Sequence, residues 1–221
     1  MTARRPFVVA IDGPAAAGKG TLARRLAERF ALAHLDSGKL YRATALLVLG
    51  DGADPADPGA AVTAARRVSP TVLTDPLLSS ERIAHASSIL SALPAVRAEL
   101  LALQRDFAAH PTPPARGAVI DGRDIGTVVC PDAAVKLFVT ASPEARADRR
   151  AKELREDGAA AIYEDVLQDM KERDARDSGR RVAPLAAAPD AVTIDTTGLD
   201  ADQVFEQASD IIARALAADG R

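Results

Sequence analysis

Residues 7–21 constrain this chain more than any other stretch, because they read FVVAIDGPAAAGKGT. They begin with an apolar run that has the length and β-branched content of a buried parallel strand. Gly13 and Gly18 frame a loop whose backbone N–H groups can wrap a polyphosphate. Lys19 brings a positive charge to the β- and γ-phosphates, and a helix that begins near Thr21 adds its positive N-terminal end. We therefore predict a nucleoside triphosphate site on this loop.

The order of residues after the lysine narrows the class. Many loops of this kind place Ser or Thr next, with its hydroxyl on Mg²⁺, but here Gly20 follows Lys19 and Thr21 comes after it. The resulting Gly-Lys-Gly-Thr, together with Pro14, resembles the loops of nucleoside monophosphate kinases, which include adenylate and cytidylate kinases. In such a loop the metal is held by Thr21 or largely by water and phosphate oxygens, and the sequence leaves both open.

Composition argues against several other classes. A chain of 221 residues is long enough for one α/β domain with inserted subdomains. The net charge of −3 argues against a nucleic-acid polymer as the main partner, and the low aromatic content of 3% argues against base stacking on an aromatic platform. Cys130 is the only cysteine, so no intrachain disulfide can form.

We expect a cytoplasmic monomer without a membrane partner. The apolar run near the N-terminus is too short for a secretory signal, and no stretch of the sequence has the length of a transmembrane helix. The pattern also contains no large apolar stripe of the kind that marks an oligomer interface.

Strand-like and helix-like patterns alternate along the chain. Apolar runs predict five strands, at residues 7–11, 33–35, 118–120, 135–139 and 191–194. Further helical patterns lie at residues 38–49, 81–109, 143–157, 163–174 and 202–217. Such alternation indicates a parallel sheet covered by helices on both faces. With a phosphate-binding loop after the first strand, we predict an α/β fold, a doubly wound five-stranded parallel sheet of P-loop NTPase type.

We predict a single domain over residues 1–221, with two departures from this alternation. Turn-rich stretches bracket a mostly helical segment, residues 60–110, which we interpret as an inserted acceptor-binding subdomain. The core then consists of residues 1–55 and 111–221. The second departure is residues 149–181, which are dense in charge and are predicted to form a short, mobile lid.

A polar block, LDSGKLYRA at residues 35–43, follows the second predicted strand. One interpretation is that Asp36 or Ser37 caps the next helix. Capping alone does not explain the phenol of Tyr41 and the guanidinium of Arg42 at the carboxyl end of a strand, where ligands lie in doubly wound sheets. Capping and binding are compatible, so we expect Ser37 and Arg42 to contact a ligand.

A third block, AVIDGRDIGTVVCPDA at residues 118–133, contains a strand that ends in Asp121. This carboxylate has the form of a metal-side residue that holds Mg²⁺ directly or through water. Gly122 permits a tight turn, Arg123 can point back toward a phosphate, and Asp124 offers acceptors to an exocyclic amine. The alternative is an Asp-Gly turn with solvated charges.

A fourth block, KERDARDSGRR at residues 171–181, is rich in charge. A solvated helix face with i,i+4 ion pairs is one interpretation. The other is that Arg180 and Arg181, together with Arg149 and Arg150, close over a transferring phosphoryl group.

Taken in order, these blocks resemble the bacterial cytidylate kinase family. The resemblance rests on GPAAAGKGT, DSGKLYR, LPAVR, DGRDIGT and KERDARD with RRVAPL after it, and it extends from about residue 5 to residue 216. It implies an ATP-dependent enzyme that transfers the γ-phosphoryl group of ATP to CMP or dCMP, forming the diphosphate and ADP, with Mg²⁺ as cofactor.

The same resemblance implies roles for the matching residues. The implied ATP-binding residues are Gly13, Pro14, Ala15, Ala16, Ala17, Gly18, Lys19, Gly20, Thr21 and Arg149. The implied CMP-binding residues are Ser37, Tyr41, Arg42, Ser88, Arg97, Asp124, Arg173, Asp177 and Arg180. The implied catalytic residues are Lys19, Arg42, Arg123, Arg173 and Arg180. The candidate metal ligands are Thr21 and Asp121.

The resemblance assigns separate residues to the phosphate, the base and the sugar of CMP. The residues implied for the CMP phosphate are Ser37, Arg42, Arg123 and Arg180. Those implied for the cytosine edge are Ser88, Arg97 and Asp124, and those for the ribose are Arg173 and Asp177. A carboxylate suits the cytosine amine, which is a donor, whereas a uracil carbonyl would face it unfavourably. We therefore expect CMP to be preferred over UMP.

Three other functions are compatible with parts of the sequence. The first is a kinase for another small acceptor, such as AMP, UMP or a polyol. The second is a non-catalytic nucleotide sensor, and the third is a P-loop ATPase regulated by a partner. An ATPase would hydrolyse ATP without an acceptor, whereas a lidded kinase would suppress hydrolysis by excluding water.

Overall fold

The computed structural model describes residues 5–156, 158 and 160–220. The described residues contain five β-strands, which are β1 Phe7–Asp12, β2 Ala33–Asp36, β3 Gly117–Gly122, β4 Val135–Thr140 and β5 Val192–Asp195. The α-helices of the same residues are α1 Lys19–Arg29, α2 Ser37–Gly50, α3 Pro58–Ala65, α4 Glu81–Leu90, α5 Pro94–Ala109, α6 Pro143–Glu156, α7 Tyr163–Ser178 and α8 Ala201–Ala218. Shorter turns are the 3₁₀ segments Val72–Thr74 and Pro76–Ser79 and the π-turn Ile125–Val129.

The strands form one sheet in the order β2-β3-β1-β4-β5. β1 pairs in parallel with both β3 and β4, and β4 pairs in parallel with β5. Strand β1 reads as an apolar run because helices cover both faces of a parallel sheet, and Val9, Ala10 and Ile11 are fully buried. The predicted five-stranded, parallel α/β sheet is confirmed.

Strand register brings the carboxyl ends of the central strands to one edge of the sheet. Asp12, the last residue of β1, is the partner of Gly122 in β3 and of Phe138 in β4. The loop after β1 and the segment after β3 therefore begin side by side, which is the edge where ligands bind in doubly wound sheets.

The described residues divide into two compact units. The first consists of the residues up to Leu35 and those from Ala108 onward, and the second is Asp36–Phe107. The first unit has a core of strand and helix side chains that includes Val9, Leu26 and Ile212. In the second unit, α2 packs against α3 and α4.

The bounds of the predicted core, acceptor-binding insertion and lid stay predictions. The acceptor-binding insertion of residues 60–110, the core of residues 1–55 and 111–221 and the lid of residues 149–181 are functional assignments that no contact tests. Within the predicted lid, residues 157 and 159 lie outside the described residues, as do residues 1–4 and 221 of the predicted single domain.

The prediction of one helix over residues 81–109 is wrong. Two helices, α4 and α5, occupy this stretch, and their axes differ by 103°. Pro94 is the first residue of α5. A proline has no N–H for the preceding turn and disfavours helical backbone in the residue before it, so α4 ends and a new helix begins.

Helix α3 lies at the end of a stretch that the sequence indicated as turns. The Asp57 side chain accepts hydrogen bonds from the N–H groups of Gly59 and Ala60, and Pro58 is the first helical residue. An Asp at the N-cap followed by Pro at the first position is a helix-start signal. Residues 60–65 of α3 fall within the segment predicted to be mostly helical, and the helix begins two residues earlier, at Pro58.

Among the described residues, no single helix is long and apolar enough to cross a membrane. The pair α4 and α5 meets the length and composition criteria only when its two strongly bent members are taken together.

Candidate active site

The phosphate-binding loop, residues 13–20, depends on a backbone conformation that glycine permits. Gly13 has φ 147°, and a Cβ atom there would lie 1.9 Å from the carbonyl oxygen of Val139. Any larger residue at this position would therefore collide with β4. Helix α1 begins at Lys19, so its N-terminal N–H groups and the positive end of its dipole lie at this loop.

Lys19 is held inside the loop that it completes. Its Nζ atom donates to the carbonyl oxygen of Pro14 at 2.6 Å, and the residue is only 6% exposed. The ammonium group therefore occupies a fixed position beside the backbone that would wrap a polyphosphate. This is the position in which a cation can neutralise phosphate oxygens without first reorganising.

Two residues that sequence reasoning missed hold the loop from outside. Arg146 is buried and donates to the carbonyl oxygen of Ala15 at 3.2 Å and to that of Ala141 at 3.1 Å. The buried hydroxyl of Thr196 donates to the carbonyl oxygen of Ala17 at 3.4 Å. Both contacts join residues more than a hundred positions apart, and no local pattern signals such pairs.

Arg149, a predicted ATP-binding residue, is tied to the same network. Its guanidinium donates to the hydroxyl of Thr196 at 2.8 Å and also to the carbonyl oxygen of that residue. Arg149 is therefore connected to the phosphate-binding loop through Thr196, which contacts both. A contact between Arg149 and ATP stays a prediction.

Asp121, one of the two candidate metal ligands, lies near the end of the phosphate-binding loop in the first unit. A Cβ atom on Gly20 would lie 3.9 Å from Oδ2 of Asp121, and Thr21 is the next residue, exposed in the first turn of α1. Oδ1 of Asp121 lies 2.9 Å from Nε2 of His34. The histidine orients one oxygen of the carboxylate, and the other oxygen lies toward the end of the phosphate-binding loop.

This arrangement fits Mg²⁺ bound jointly with phosphate. Carboxylate and hydroxyl oxygens are the hard donors that Mg²⁺ prefers, and Mg²⁺ usually binds one or two carboxylates together with substrate phosphates and water. The described residues contain no group of three or more His, Cys, Asp or Glu side chains that could hold a metal by themselves. The protein therefore offers part of a coordination shell.

The first unit collects three predicted site arginines around the carboxylate of a fourth predicted residue, Asp177. Arg123 donates through Nε to Oδ2 of Asp177 at 3.0 Å, and Arg180 donates to Oδ1 of the same side chain. Arg173 lies close enough for its charge to act on this carboxyl group. Asp177 is 2% exposed and the three arginines are half-buried, so three positive charges surround one buried negative charge.

The electrostatics of Asp177 follow from this cluster. Burial alone raises the pKa of the Asp177 carboxyl, but the charges of Arg123, Arg180 and Arg173, together with the hydrogen bond from Arg123, hold that pKa below its ordinary value. The carboxylate is therefore ionised at neutral pH and fixes the guanidinium groups in place.

Asp12 joins the phosphate-binding loop to the segment after β3. It accepts hydrogen bonds from the backbone N–H groups of Ile125 and Gly126, both at 2.7 Å, and is 3% exposed. Burial raises the pKa of the Asp12 carboxyl to about 6, although the two backbone N–H groups and the charge of Lys19 act in the opposite direction. Asp124, a predicted base reader, is itself buried beside this connection and adds to the rise.

The second unit contains the other predicted acceptor residues. The guanidinium of Arg97 lies 5.4 Å from the centre of the Tyr41 ring and donates to the carbonyl oxygen of Ser91 at 3.2 Å. The Ser91 hydroxyl in turn donates to the carbonyl oxygen of Ser88 at 3.0 Å. Arg97, Ser88 and Tyr41 are thus brought together, as a shared ligand would require.

In the polar block of residues 35–43, the structure tests the first of the two interpretations, that of helix capping. The Asp36 side chain accepts from the N–H of Lys39 at 3.2 Å and is the N-cap of α2, so the capping interpretation is confirmed for this residue. Ser37 is buried in the first turn of α2, and Arg42 donates to the carbonyl oxygen of Leu78 at 3.2 Å. Ligand contact by Ser37 and Arg42 stays a prediction.

Comparison with known proteins gives a consistent family. The family model for cytidylate kinase matches residues 9–214. The cytidylate kinase of Rhodospirillum rubrum is 59% identical over 207 residues, which cover 94% of this chain and 97% of the relative. That of Paramagnetospirillum magneticum is 57% identical over 205 residues, covering 93% and 97%.

Among solved structures, an uncharacterised protein from Eubacterium ventriosum superposes with a TM-score of 0.50 at 15% sequence identity. The match covers 97% of this chain and 99% of that one, and it shows a shared fold only.

Proposed function

Because the chain belongs to the cytidylate kinase family, we propose that it transfers the γ-phosphoryl group of ATP to CMP and dCMP, forming ADP and CDP or dCDP. The observation that carries this proposal is the cluster of half-buried Arg123, Arg173 and Arg180 around the buried Asp177, in the same unit as the phosphate-binding loop. A surplus of fixed positive charge is what phosphoryl transfer to a second anion requires.

The proposed mechanism depends on positioning and charge neutralisation. Lys19 and the N-terminus of α1 hold the triphosphate, while Arg123 and Arg180 neutralise the acceptor phosphate and the transferring group. Asp177 fixes those two arginines at hydrogen-bond distance, so they need not reorganise during the reaction. The acceptor phosphate is ionised near neutral pH, and no strong general base is needed.

Base recognition is assigned to Asp124 in the first unit. This buried carboxylate offers acceptors to the cytosine amine and would meet a uracil carbonyl unfavourably. Arg173 and Asp177 are proposed for the sugar. The predicted acceptor residues of the second unit are Ser37, Tyr41, Arg42, Ser88 and Arg97, and they are proposed as CMP contacts with the roles already described.

Mg²⁺ is the proposed cofactor, with Thr21 and Asp121 as the residues that would hold it. Mg²⁺ bound there would supply positive charge that offsets the negative charge of the phosphates. His34 fixes the orientation of the Asp121 carboxylate through its 2.9 Å contact, so that the second oxygen remains toward the phosphate-binding loop. Use of dCMP, a monomeric state and a cytoplasmic location are further parts of the proposal that rest on sequence alone.

The experiment that tests the proposed function is ADP production from Mg-ATP with CMP, dCMP, UMP, AMP or no acceptor. We expect strong activity with CMP and dCMP, weak activity with UMP, and none with AMP or without acceptor. Brisk ADP release without acceptor would instead support an ATPase. Binding of ATP without turnover of any monophosphate would support a nucleotide sensor.

The base-reading role predicts an asymmetric defect in the Asp124→Ala variant. Loss of one buried polar partner costs about 1–3 kcal/mol, so kcat/KM for CMP should fall about ten- to a hundredfold. The KM for ATP should stay within about twofold of the wild-type value, because Asp124 is assigned to CMP and its loss should not affect ATP binding. Steady-state kinetics with each substrate varied in turn measure both numbers.

The matched control for this prediction is Asp132→Ala, which removes an exposed carboxylate eight residues later in the chain. It should leave both parameters unchanged. Equal losses for CMP and ATP in Asp124→Ala would contradict a role in reading the base.

A further inference from the structure

The side chain of Asp12 has both of its oxygens committed to one short turn. Oδ1 accepts from the N–H of Ile125 and Oδ2 from the N–H of Gly126, each at 2.7 Å. These two residues open the π-turn Ile125–Val129. The first N–H groups of any helical turn lack partners within it. Here the carboxylate of Asp12 in β1 accepts hydrogen bonds from two of these N–H groups, although it lies 113 and 114 residues away in sequence.

The turn has no cap of its own. Asp124 stands at its N-cap position, but its side chain makes no capping hydrogen bond. Capping is usually local, from the residue that precedes the helix. Here the backbone N–H groups of Ile125 and Gly126 donate charge-assisted hydrogen bonds to Asp12 instead, and such bonds are stronger than bonds between neutral groups.

The fit around this carboxylate is close. A Cβ atom on Gly126 would lie 3.3 Å from Oδ2 of Asp12 and 3.2 Å from Cδ of Lys136. Glycine at this position therefore lets the carboxylate reach the backbone. Since both oxygens are used and the residue is 3% exposed, Asp12 is not placed to act as a base or to hold phosphate.

Asp12 also lies beside the other end of the same segment. In the sheet, Asp12 is the register partner of Gly122 at the end of β3. Only Arg123 and Asp124 lie between that paired residue and the turn that the Asp12 side chain holds. One residue therefore brackets the two side chains assigned to the CMP phosphate and to the cytosine edge.

We propose that Asp12 is a positioning residue, which holds Arg123 and Asp124 in the orientation that CMP requires and ties them to the phosphate-binding loop that starts at Gly13. The inference rests on the proposed function, because it concerns how that function selects its acceptor. Asp12 would then link the ATP-binding loop to the residues that recognise CMP. The link is made by hydrogen bonds to the protein backbone and does not pass through a bound substrate.

The charge state of Asp12 gives the link a pH dependence. Asp124 and Lys19 are the charged side chains that act on Asp12, the first raising and the second lowering its pKa, while burial raises it to about 6. Above that pH the ionised carboxylate accepts both hydrogen bonds. Below it, a protonated oxygen becomes a donor that faces a backbone N–H, and the turn loses one of its two fixed contacts.

The test is Asp12→Asn, which keeps the shape but replaces one acceptor oxygen with an NH₂ group. We expect kcat/KM for CMP to fall at least about tenfold, the preference for CMP over UMP to narrow, and the KM for ATP to change less than about twofold. The wild-type profile of kcat/KM for CMP should fall on the acid side near the pKa of Asp12, and the variant should show a shallower acid limb, because only the titration of the CMP phosphate itself remains.

A readout independent of activity is amide hydrogen exchange at Ile125 and Gly126. In Asp12→Asn these two amides should exchange at least about tenfold faster, while Val9 in the middle of β1 keeps its protection. The matched control is Asp210→Asn, since Asp210 is an exposed carboxylate on α8. It should change none of these measurements.

The outcomes separate this inference from the proposed function. Unchanged exchange at Ile125 and Gly126, or equal losses for ATP and CMP, would overturn the positioning role even in an active kinase. Faster exchange in a protein whose wild type does not phosphorylate CMP would keep the structural link and reject the proposed function. Gly126→Ala gives a second variant if Asp12→Asn does not fold, and it is expected to reproduce the selective loss of CMP use.

Discussion

Replacing Lys19 by alanine is expected to remove useful turnover, lowering kcat by about a thousandfold or more. The ammonium group is held 2.6 Å from the carbonyl oxygen of Pro14 in a residue that is 6% exposed. A charge fixed in this way stabilises the charge that develops on the transferring phosphoryl group without reorganisation. Its loss cannot be recovered by solvent cations, which are not preorganised.

The measurement is single-turnover and steady-state kinetics with Mg-ATP and CMP, with thermal unfolding to establish that the variant is folded. Lys152→Ala is the matched control, because its side chain is 76% exposed and only faces Glu156 at 3.8 Å across one helical turn. The control should retain full activity. A Lys19→Ala enzyme with wild-type kcat would refute the phosphate role of this lysine.

Much of the fold could be predicted because its signals are local. A parallel strand buried on both faces must be apolar along its length, so β1, β3 and β4 were visible as short runs. The phosphate-binding loop and its helix were visible because glycine, lysine and an amphipathic pattern follow one another directly. The placement of polar residues after strands then followed from the rule that ligands lie at the carboxyl edge.

The parts that could not be predicted depend on residues far apart in the chain. Arg146 and Thr196 support the loop, and His34 orients Asp121, through pairs separated by 87 to 179 residues. A single arginine or threonine in a helical or strand pattern has no property that distinguishes this use from a surface position. Only the sheet order and register bring such partners together.

Asp177 illustrates both cases. Its contact with Arg180 spans three residues within one charged block, so the two side chains are close in sequence although Arg180 lies beyond the end of α7. Its contact with Arg123 spans 54 residues, and no local pattern signals it. From sequence the residue was assigned to the sugar of the acceptor, whereas the structure adds a second task, that of counter-charge for the arginines.

The largest effect on stability is expected from Asp177→Asn. Removing the charge from one member of a buried ion pair leaves the other charges uncompensated, which costs about 3–5 kcal/mol in unfolding free energy. Here Arg123 and Arg180, whose side chains are 18% and 5% exposed, would lose their shared partner. Denaturant unfolding at pH 7 measures the loss, and turnover of CMP should fall with it as the arginines lose their positions.

The control for this prediction is Asp51→Asn, because Asp51 pairs with Arg67 at the surface and both side chains are 48% exposed. Exposed pairs contribute about 0–1 kcal/mol. A loss of that small size in Asp177→Asn would mean that the arginines are stabilised by other groups and that Asp177 is not their anchor.

The pH dependence of this difference follows from the sign of the pKa shift. The pKa of Asp177 lies below its ordinary value in the folded protein, because the arginines outweigh the effect of burial. Stability from a lowered carboxyl pKa is present above the unfolded value of about 3.9 and is lost as pH falls through the folded one. The gap in unfolding free energy between wild type and Asp177→Asn should therefore be constant from about pH 5 to 8 and shrink in more acidic solution. A gap that widens on acidification would require the opposite shift, and with it a carboxyl group governed by burial instead of by the three arginines.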